Sequence, residues 1–143
     1  MAAIDAAMVS KLLNATSPTG TAGIPGTYTA LSATAMKVRL NSTLSTASAA
    51  GTEITTGGGY TTGGQALANA STASSAGSNV TLPATAALSW TNSSGSAWSI
   101  VSFDLTDGAG VRTWWGPFNG QPISVASGNT FQIAVGGITL SLT

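Results

Sequence analysis

The chain has 143 residues, 43% of them hydrophobic but 6% charged, with four Lys or Arg against four Asp or Glu and no net charge at neutral pH. A typical soluble domain carries about 25% charged residues, so this surface is expected to consist of hydroxyls, methyls and backbone. The absence of His and Cys excludes imidazole bases, thiolate nucleophiles, soft metal ligands and disulfides; there is no basic stripe for nucleic acid, and no apolar run reaches the ~18 residues of a membrane helix.

In chain order, residues 2–14 carry the one helical pattern. Ile4, Met8 and Leu12 recur at every fourth position, with Val9 and Leu13 beside them. Asp5 falls in the first turn and Lys11 in the last, as the helix dipole prefers, and Asn14 and Pro18 supply a stop. A helix of this length is marginal alone, so Ile4, Met8 and Leu12 are candidates for packing on the chain's own sheets or on a neighbouring subunit. The start of the chain lacks a basic region followed by a signal-type apolar stretch, so synthesis and assembly in the cytoplasm are expected. Pro, Gly and Thr fill residues 17–27. This divides the chain into a helix and linker arm over 1–27 and a β domain over 28–143. Residues 28–31 fit a short strand or an extended arm. Met36, Val38 and Leu40 alternate with Lys37 and Arg39, the period of a half-buried strand with a basic outer face. A solvated face is favoured there over an anion or partner contact.

Residues 41–64 are polar and Gly-rich. A phosphate-binding loop would need Gly-x-x-x-x-Gly-Lys-Ser/Thr between a strand and a helix. No Lys follows Gly57-Gly58-Gly59, so a long surface loop is expected, with Tyr60 as a candidate interface aromatic. Residues 65–69 fit a weak strand and residues 70–78 a small-residue loop. Val80, Leu82, Leu88 and Trp90 straddle Pro83, giving two short strands or one kinked edge strand.

Residues 97–118 are the bulkiest segment and hold three of the four Trp. Ser99, Val101, Phe103 and Leu105 alternate with Trp98, Ile100, Ser102 and Asp104, a strand with one strongly apolar face. Asp107-Gly108-Ala109-Gly110 is turn chemistry, residues 111–115 run back, and Gly116-Pro117 ends the strand. A hairpin carrying the core is expected here. Trp114 and Trp115 are adjacent and point to opposite faces. One belongs in the core and the other on an outer face, where a subunit interface is favoured over a glycan platform; Trp114 is the interface candidate.

Asp104 and Asp107 are the one close pair of acids. Two carboxylates can serve glycoside hydrolysis or, with loop carbonyls, hold calcium. Asp107 reads foremost as a turn former, and the spacing is not that of an EF-hand, so no catalytic residue, cofactor or metal ligand is assigned. Asn119-Gly120 is a hairpin-grade turn, and Ser127-Gly128-Asn129 another. Phe131, Ile133 and Val135 occupy odd positions, whereas Ile138, Leu140 and Leu142 occupy even ones. The flip across Gly136-Gly137 means a β-bulge bending one strand, which is favoured, or a two-residue hairpin. Strands punctuated by turns at this spacing make an all-β chain: an antiparallel β-sandwich or jelly-roll-like domain with a short N-terminal helix. Disorder, the competing reading of a Gly/Ser/Thr-rich chain, ordinarily comes with high net charge and few β-branched or aromatic residues.

Taken in order, several stretches resemble a known family. They are Gly-Thr-Glu-Ile-Thr-Thr-Gly-Gly-Gly-Tyr over 51–60, Val80-Thr81-Leu82-Pro83-Ala84, Ala97-Trp98-Ser99-Ile100-Val101, Phe103-Asp104-Leu105-Thr106-Asp107, Trp115-Gly116-Pro117-Phe118, Val125-Ala126-Ser127-Gly128-Asn129-Thr130-Phe131 and Ile138-Thr139-Leu140-Ser141-Leu142-Thr143. Together they resemble small virion proteins of tailed bacteriophages that carry the label "tail fibre protein", over almost the whole chain. That family commonly has Ala-Arg-Gln after the Gly-Gly-Tyr. Here Thr61-Thr62-Gly63-Gly64-Gln65 stands there without the Arg, so no role of that Arg is carried over. The resemblance implies a non-enzymatic structural protein, located in the virion after assembly in the host cytoplasm. There is no fibre repeat or coiled coil, and a small neutral chain suits a tile on a capsid. The expectation is a capsid decoration protein that binds the major capsid protein or another virion protein. It is expected to bind itself as a homo-oligomer, a trimer being favoured, and neither nucleic acid nor membrane. The alternative is a minor tail or tail-tip protein with a glycan-binding role in adsorption.

Overall fold

The computed structural model describes residues 3–4, 36–54, 57–67, 75–76, 79–83, 86–107 and 110–141. Among these residues the chain forms β1 (Ala3–Ile4), β2 (Lys37–Asn41), β3 (Gln65–Ala66), β4 (Ser75–Ala76), β5 (Asn79–Leu82), β6 (Leu88–Thr91), β7 (Trp98–Ile100), β8 (Ser102–Thr106), β9 (Arg112–Pro117), β10 (Ile123–Val125), β11 (Thr130–Ile133) and β12 (Ile138–Ser141), and no helix. Their pairings are antiparallel. A five-stranded sheet runs β1-β9-β8-β2-β3; β10 pairs with β7, β11 pairs with β6, and β12 and β4 flank β5. The protein is all-β and sandwich-like, as short alternating apolar runs between turns dictate. The helix expected over 2–14 lies outside the described residues except at Ala3–Ile4, which pair as a strand with Trp115 and Trp114. Met8, Leu12, the loop over 17–27 and the segment over 28–31 also lie outside them.

In β2 the predicted alternation holds. Val38 and Leu40 are buried, and Lys37 is exposed. They join Phe103 and Leu105 of β8, Trp98 and Ile100 of β7, Trp90 of β6, Val125 of β10, Ile133 of β11 and Ile138 and Leu140 of β12 in one apolar cluster. The Phe118 ring ties strands together, 5.3 Å from both Phe103 and Phe131. The core is therefore shared among the sheets rather than carried by the 97–118 hairpin alone.

The hairpin also differs from a regular strand. Trp98 and Ile100 are buried, and so are Phe103 and Leu105, whereas Ser99 is exposed. An even pair and an odd pair share the interior because the period breaks at Val101. Its N–H donates to the Asn41 carbonyl (2.8 Å) and its carbonyl accepts from the Phe118 N–H (3.1 Å). The chain thus runs on from β7, paired with β10, into β8 of the five-stranded sheet, a strand that changes sheets at a bend.

The turns sort by the same logic. Asp107 forms its turn as expected: its carbonyl accepts from Gly110 N–H (2.9 Å) and its Oδ1 from Val111 N–H (2.8 Å). Pro83 separates two strands, β5 and β6, which belong to different sheets. Asn119-Gly120 turns the chain, but β9 and β10 lie in different sheets, so no hairpin forms there. At 134–137 the Gly137 N–H donates to the Ala134 carbonyl (2.9 Å), with Gly136 at φ 73°, a β-turn that needs glycine. Neither the bulged strand nor the hairpin is present. The apolar parity flips because β11 and β12 belong to different sheets.

Candidate functional site

The β2–β8 register sets Arg39 opposite Asp104, and the β8–β9 register sets Asp104 opposite Trp115. Arg39 Nη2 donates to Asp104 Oδ2 at 2.8 Å, and Ser45 Oγ donates to Oδ1 at 2.6 Å. Asp104 is 0% exposed. Asn41 Nδ2 (3.1 Å) and Gly51 N–H (2.8 Å) donate to Ser45 Oγ, while Ser102 Oγ donates to the Thr43 carbonyl (2.8 Å). From β9, Arg112 reaches the carbonyls of Ala49 (2.6 Å) and Thr46 (2.7 Å). These bonds pin residues 42–51 over the outer face of the sheet. Arg39 is therefore an internal strut rather than part of a solvated basic face.

A second strut ties residues 53–63 to β2. The Tyr60 hydroxyl donates to Glu53 Oε1 at 2.6 Å and accepts from Leu40 N–H at 3.2 Å; Gly63 N–H also donates to Glu53 Oε1, at 2.7 Å. The Tyr60 ring meets Trp98 edge-on, with centroids 6.2 Å apart. Burial, aided by the bond to Glu53, pushes the phenol well above the usual tyrosine range. Tyr60 is 2% exposed, so the candidate interface aromatic is packed in the core. Residues 41–64 are likewise no simple surface loop, since Ser45, Ile54 and Tyr60 are all buried.

The glycine run is explained by backbone proximity. A Cβ on Gly59 would collide with the Thr91 carbonyl, and one on Gly58 with the Ser94 backbone. Ser93 N–H donates to the Gly58 carbonyl at 2.6 Å. Beside this contact, buried Asn92 uses its whole amide: Nδ2 donates to the Ser96 and Val125 carbonyls (2.7 Å each), and Oδ1 accepts from the Ser94 N–H (3.0 Å) and hydroxyl (2.7 Å). It clamps the β6–β7 connection onto β10, a role hidden in a sequence that reads as an ordinary polar turn.

The remaining candidates fall as follows. Trp90 and Trp98 are buried; Trp114 is half-buried against the core, and Trp115 is half-buried. The indole N–H groups of Trp114 and Trp115 are buried without an acceptor, as is Arg39 Nε. Asp104 and Asp107 do not form a shared site, because the first is bonded to Arg39 and Ser45 and the second to its own turn. Among the described residues no three His, Cys, Asp or Glu side chains cluster as metal ligands, and no helix is long and apolar enough to cross a membrane. Leu44, Val111 and Val135 are exposed apolar side chains in connecting segments. Compared with known proteins, the chain matches no family model, no curated protein and no solved structure.

Proposed function

We propose that the protein is a structural component of a tailed-bacteriophage particle, with capsid decoration as its role. The observation that carries this reading is the inward use of charge. Arg39, Asp104, Glu53, Asp107 and Arg112 each bond within the chain, and Lys37 is the exposed charge of β2. Among the described residues the exposed positions other than Lys37 are mainly Ser, Thr, Gly, Ala, Asn and Gln, together with Leu44, Val111 and Val135. Such a surface suits dense, long-lived packing against other subunits, where charged groups are depleted from interface cores, and a near-neutral surface favours association. The resemblance of the ordered motifs to phage virion proteins supplies the setting.

The test is the copy number in purified particles, by quantitative mass spectrometry and by locating the protein in cryo-EM maps. A copy number that follows the icosahedral lattice of the head is expected. A small ring-symmetric number at the tail would replace decoration by the tail-protein reading, and absence from particles would overturn both.

A further inference from the structure

The turn at Asn119-Gly120 carries the chain out of the five-stranded sheet, from β9 to β10. Its two ends are fastened. Phe118 N–H donates to the Val101 carbonyl at 3.1 Å, and Ile123 pairs with Ile100. Between these anchors residues 119–122 are exposed. Neither the Asn119 side-chain amide nor the Gly120 N–H has a hydrogen-bond partner among the described residues. This sets Gly120 apart from Gly110, Gly128 and Gly136, whose N–H groups donate to the carbonyls of Asp107 (2.9 Å), Asn92 (2.6 Å) and Pro83 (2.9 Å).

A main-chain N–H that bonds to nothing is free to ionise and to attack a neighbouring carbonyl carbon. Asn places one there, the side-chain amide carbon of the preceding residue. Attack is easiest where the attacking residue has no Cβ to obstruct it, and Asn119 is the one Asn in the chain followed by Gly. The other described Asn are held or hindered. Asn41 and Asn92 are buried, and Asn92 has its whole amide bonded. Asn79 and Asn129 precede Val80 and Thr130, whose branched Cβ crowds the backbone nitrogen.

We propose that Asn119 is a site of spontaneous deamidation, with water as the co-reactant. The Gly120 nitrogen loses its proton to hydroxide and forms a bond to Asn119 Cγ. The Cγ–Nδ2 bond breaks, and Nδ2 takes a proton from water and leaves as ammonia. Water then opens the succinimide at either carbonyl, giving Asp or, with the main chain rerouted through Cβ, isoaspartate. One water is consumed and one ammonia released, with no oxidant or reductant. Either product puts a carboxylate where a neutral amide stood, so a chain with no net charge becomes negative by one, on a surface whose neutrality favours association. Isoaspartate also lengthens the main chain directly after Phe118, the residue whose ring meets Phe103 and Phe131. The proposal stands on this turn and does not rest on the proposed function.

The natural chain is aged in mildly alkaline buffer, folded and in urea, and its Asn residues are followed by peptide mass spectrometry with fragmentation that separates Asp from isoaspartate. In the folded chain Asn119 is expected to convert ahead of Asn41, Asn79, Asn92 and Asn129, to both products. Isoelectric focusing should show one acidic band growing with time. That band should be lost in Asn119→Gln and slowed in Gly120→Ala, whose added Cβ meets nothing within 4 Å. Asn119 that converts in urea but stays intact in the folded chain, another of these Asn converting first, or an acidic band that grows equally fast in either variant overturns the assignment.

Discussion

Replacing Arg39 with Met leaves Asp104 beneath the 42–51 segment with one side-chain donor, the Ser45 hydroxyl. Asp104 is 0% exposed, whereas the Arg39 side chain is 20% exposed, so water screens one end of the pair but not the other. Removing one partner of a buried pair costs 3–5 kcal/mol, and the partial exposure of Arg39 puts this case at the low end, about 3 kcal/mol. Asp104→Leu removes the acceptor of both Arg39 and Ser45 and is expected to cost about the same. The double variant Arg39→Met/Asp104→Leu buries no charge and fills the same space with apolar groups. It should fall short of the sum of the singles by about 2–3 kcal/mol, the coupling typical of residues in one network. Urea titration followed by Trp fluorescence gives the three values. In a chain of this size a 3 kcal/mol loss lowers the melting temperature by roughly 10 °C. If Arg39→Met costs under about 1 kcal/mol, as an exposed pair would, or if the double variant equals the sum, the pinned polar layer does not hold the sheet in the way described.

Tyr60→Phe strands the Leu40 N–H and is expected to cost about 1–3 kcal/mol in a denaturant titration. The native fold keeps the Tyr60 phenol protonated above the ordinary value of about 10, at which an unfolded chain releases that proton. Stability should therefore fall as pH rises past that value, and Tyr60→Phe should remove this part of the fall; identical pH slopes in the two proteins refute the strut. Gly59→Ala should destabilise more than Gly63→Ala: both take on a positive φ, but a Cβ at Gly59 also meets the Thr91 carbonyl while one at Gly63 meets open space. The positive φ alone costs about 1–2 kcal/mol, so equal melting temperatures for the two variants refute the close approach. Attachment to particles should survive about 1 M sodium chloride, where the Debye length is about 3 Å, and weaken in urea; release by salt with retention in urea refutes an interface poor in ion pairs.

The fold class is legible in the sequence because alternation and turn chemistry are local. Met36 to Leu40 shows its buried face directly, and Asp107 and Pro83 act on their immediate neighbours. What is not legible depends on register between distant strands. Arg39 shares its strand with Lys37 and Asp104 is the one charge on its own, and nothing local says that Arg39 and Asp104 meet across 65 positions or that residues 42–51 lie over them. Tyr60 reads as a loop aromatic because glycines surround it; those same glycines let the backbone come close enough to bury it. The parities at Val101 and at Gly136-Gly137 mislead for one reason: periodicity assumes that a strand stays in one sheet, and here the chain moves between sheets at both places.

The Arg39–Asp104 pair also bears on how the chain survives its own synthesis. At a ribosomal rate of 5–20 residues per second, β2 is made between about 3 and 13 seconds before the residues of β8 that complete it. Throughout that interval Val38 and Leu40 lack the β8 partner that they have in the fold, and an apolar, strand-forming segment without its partner aggregates unless a charge interrupts it. Lys37 and Arg39 are those charges. Once β8 arrives, Asp104 takes up the Arg39 guanidinium and the pairing closes. One side chain thus guards the nascent strand against strangers and later fastens it to its proper neighbour.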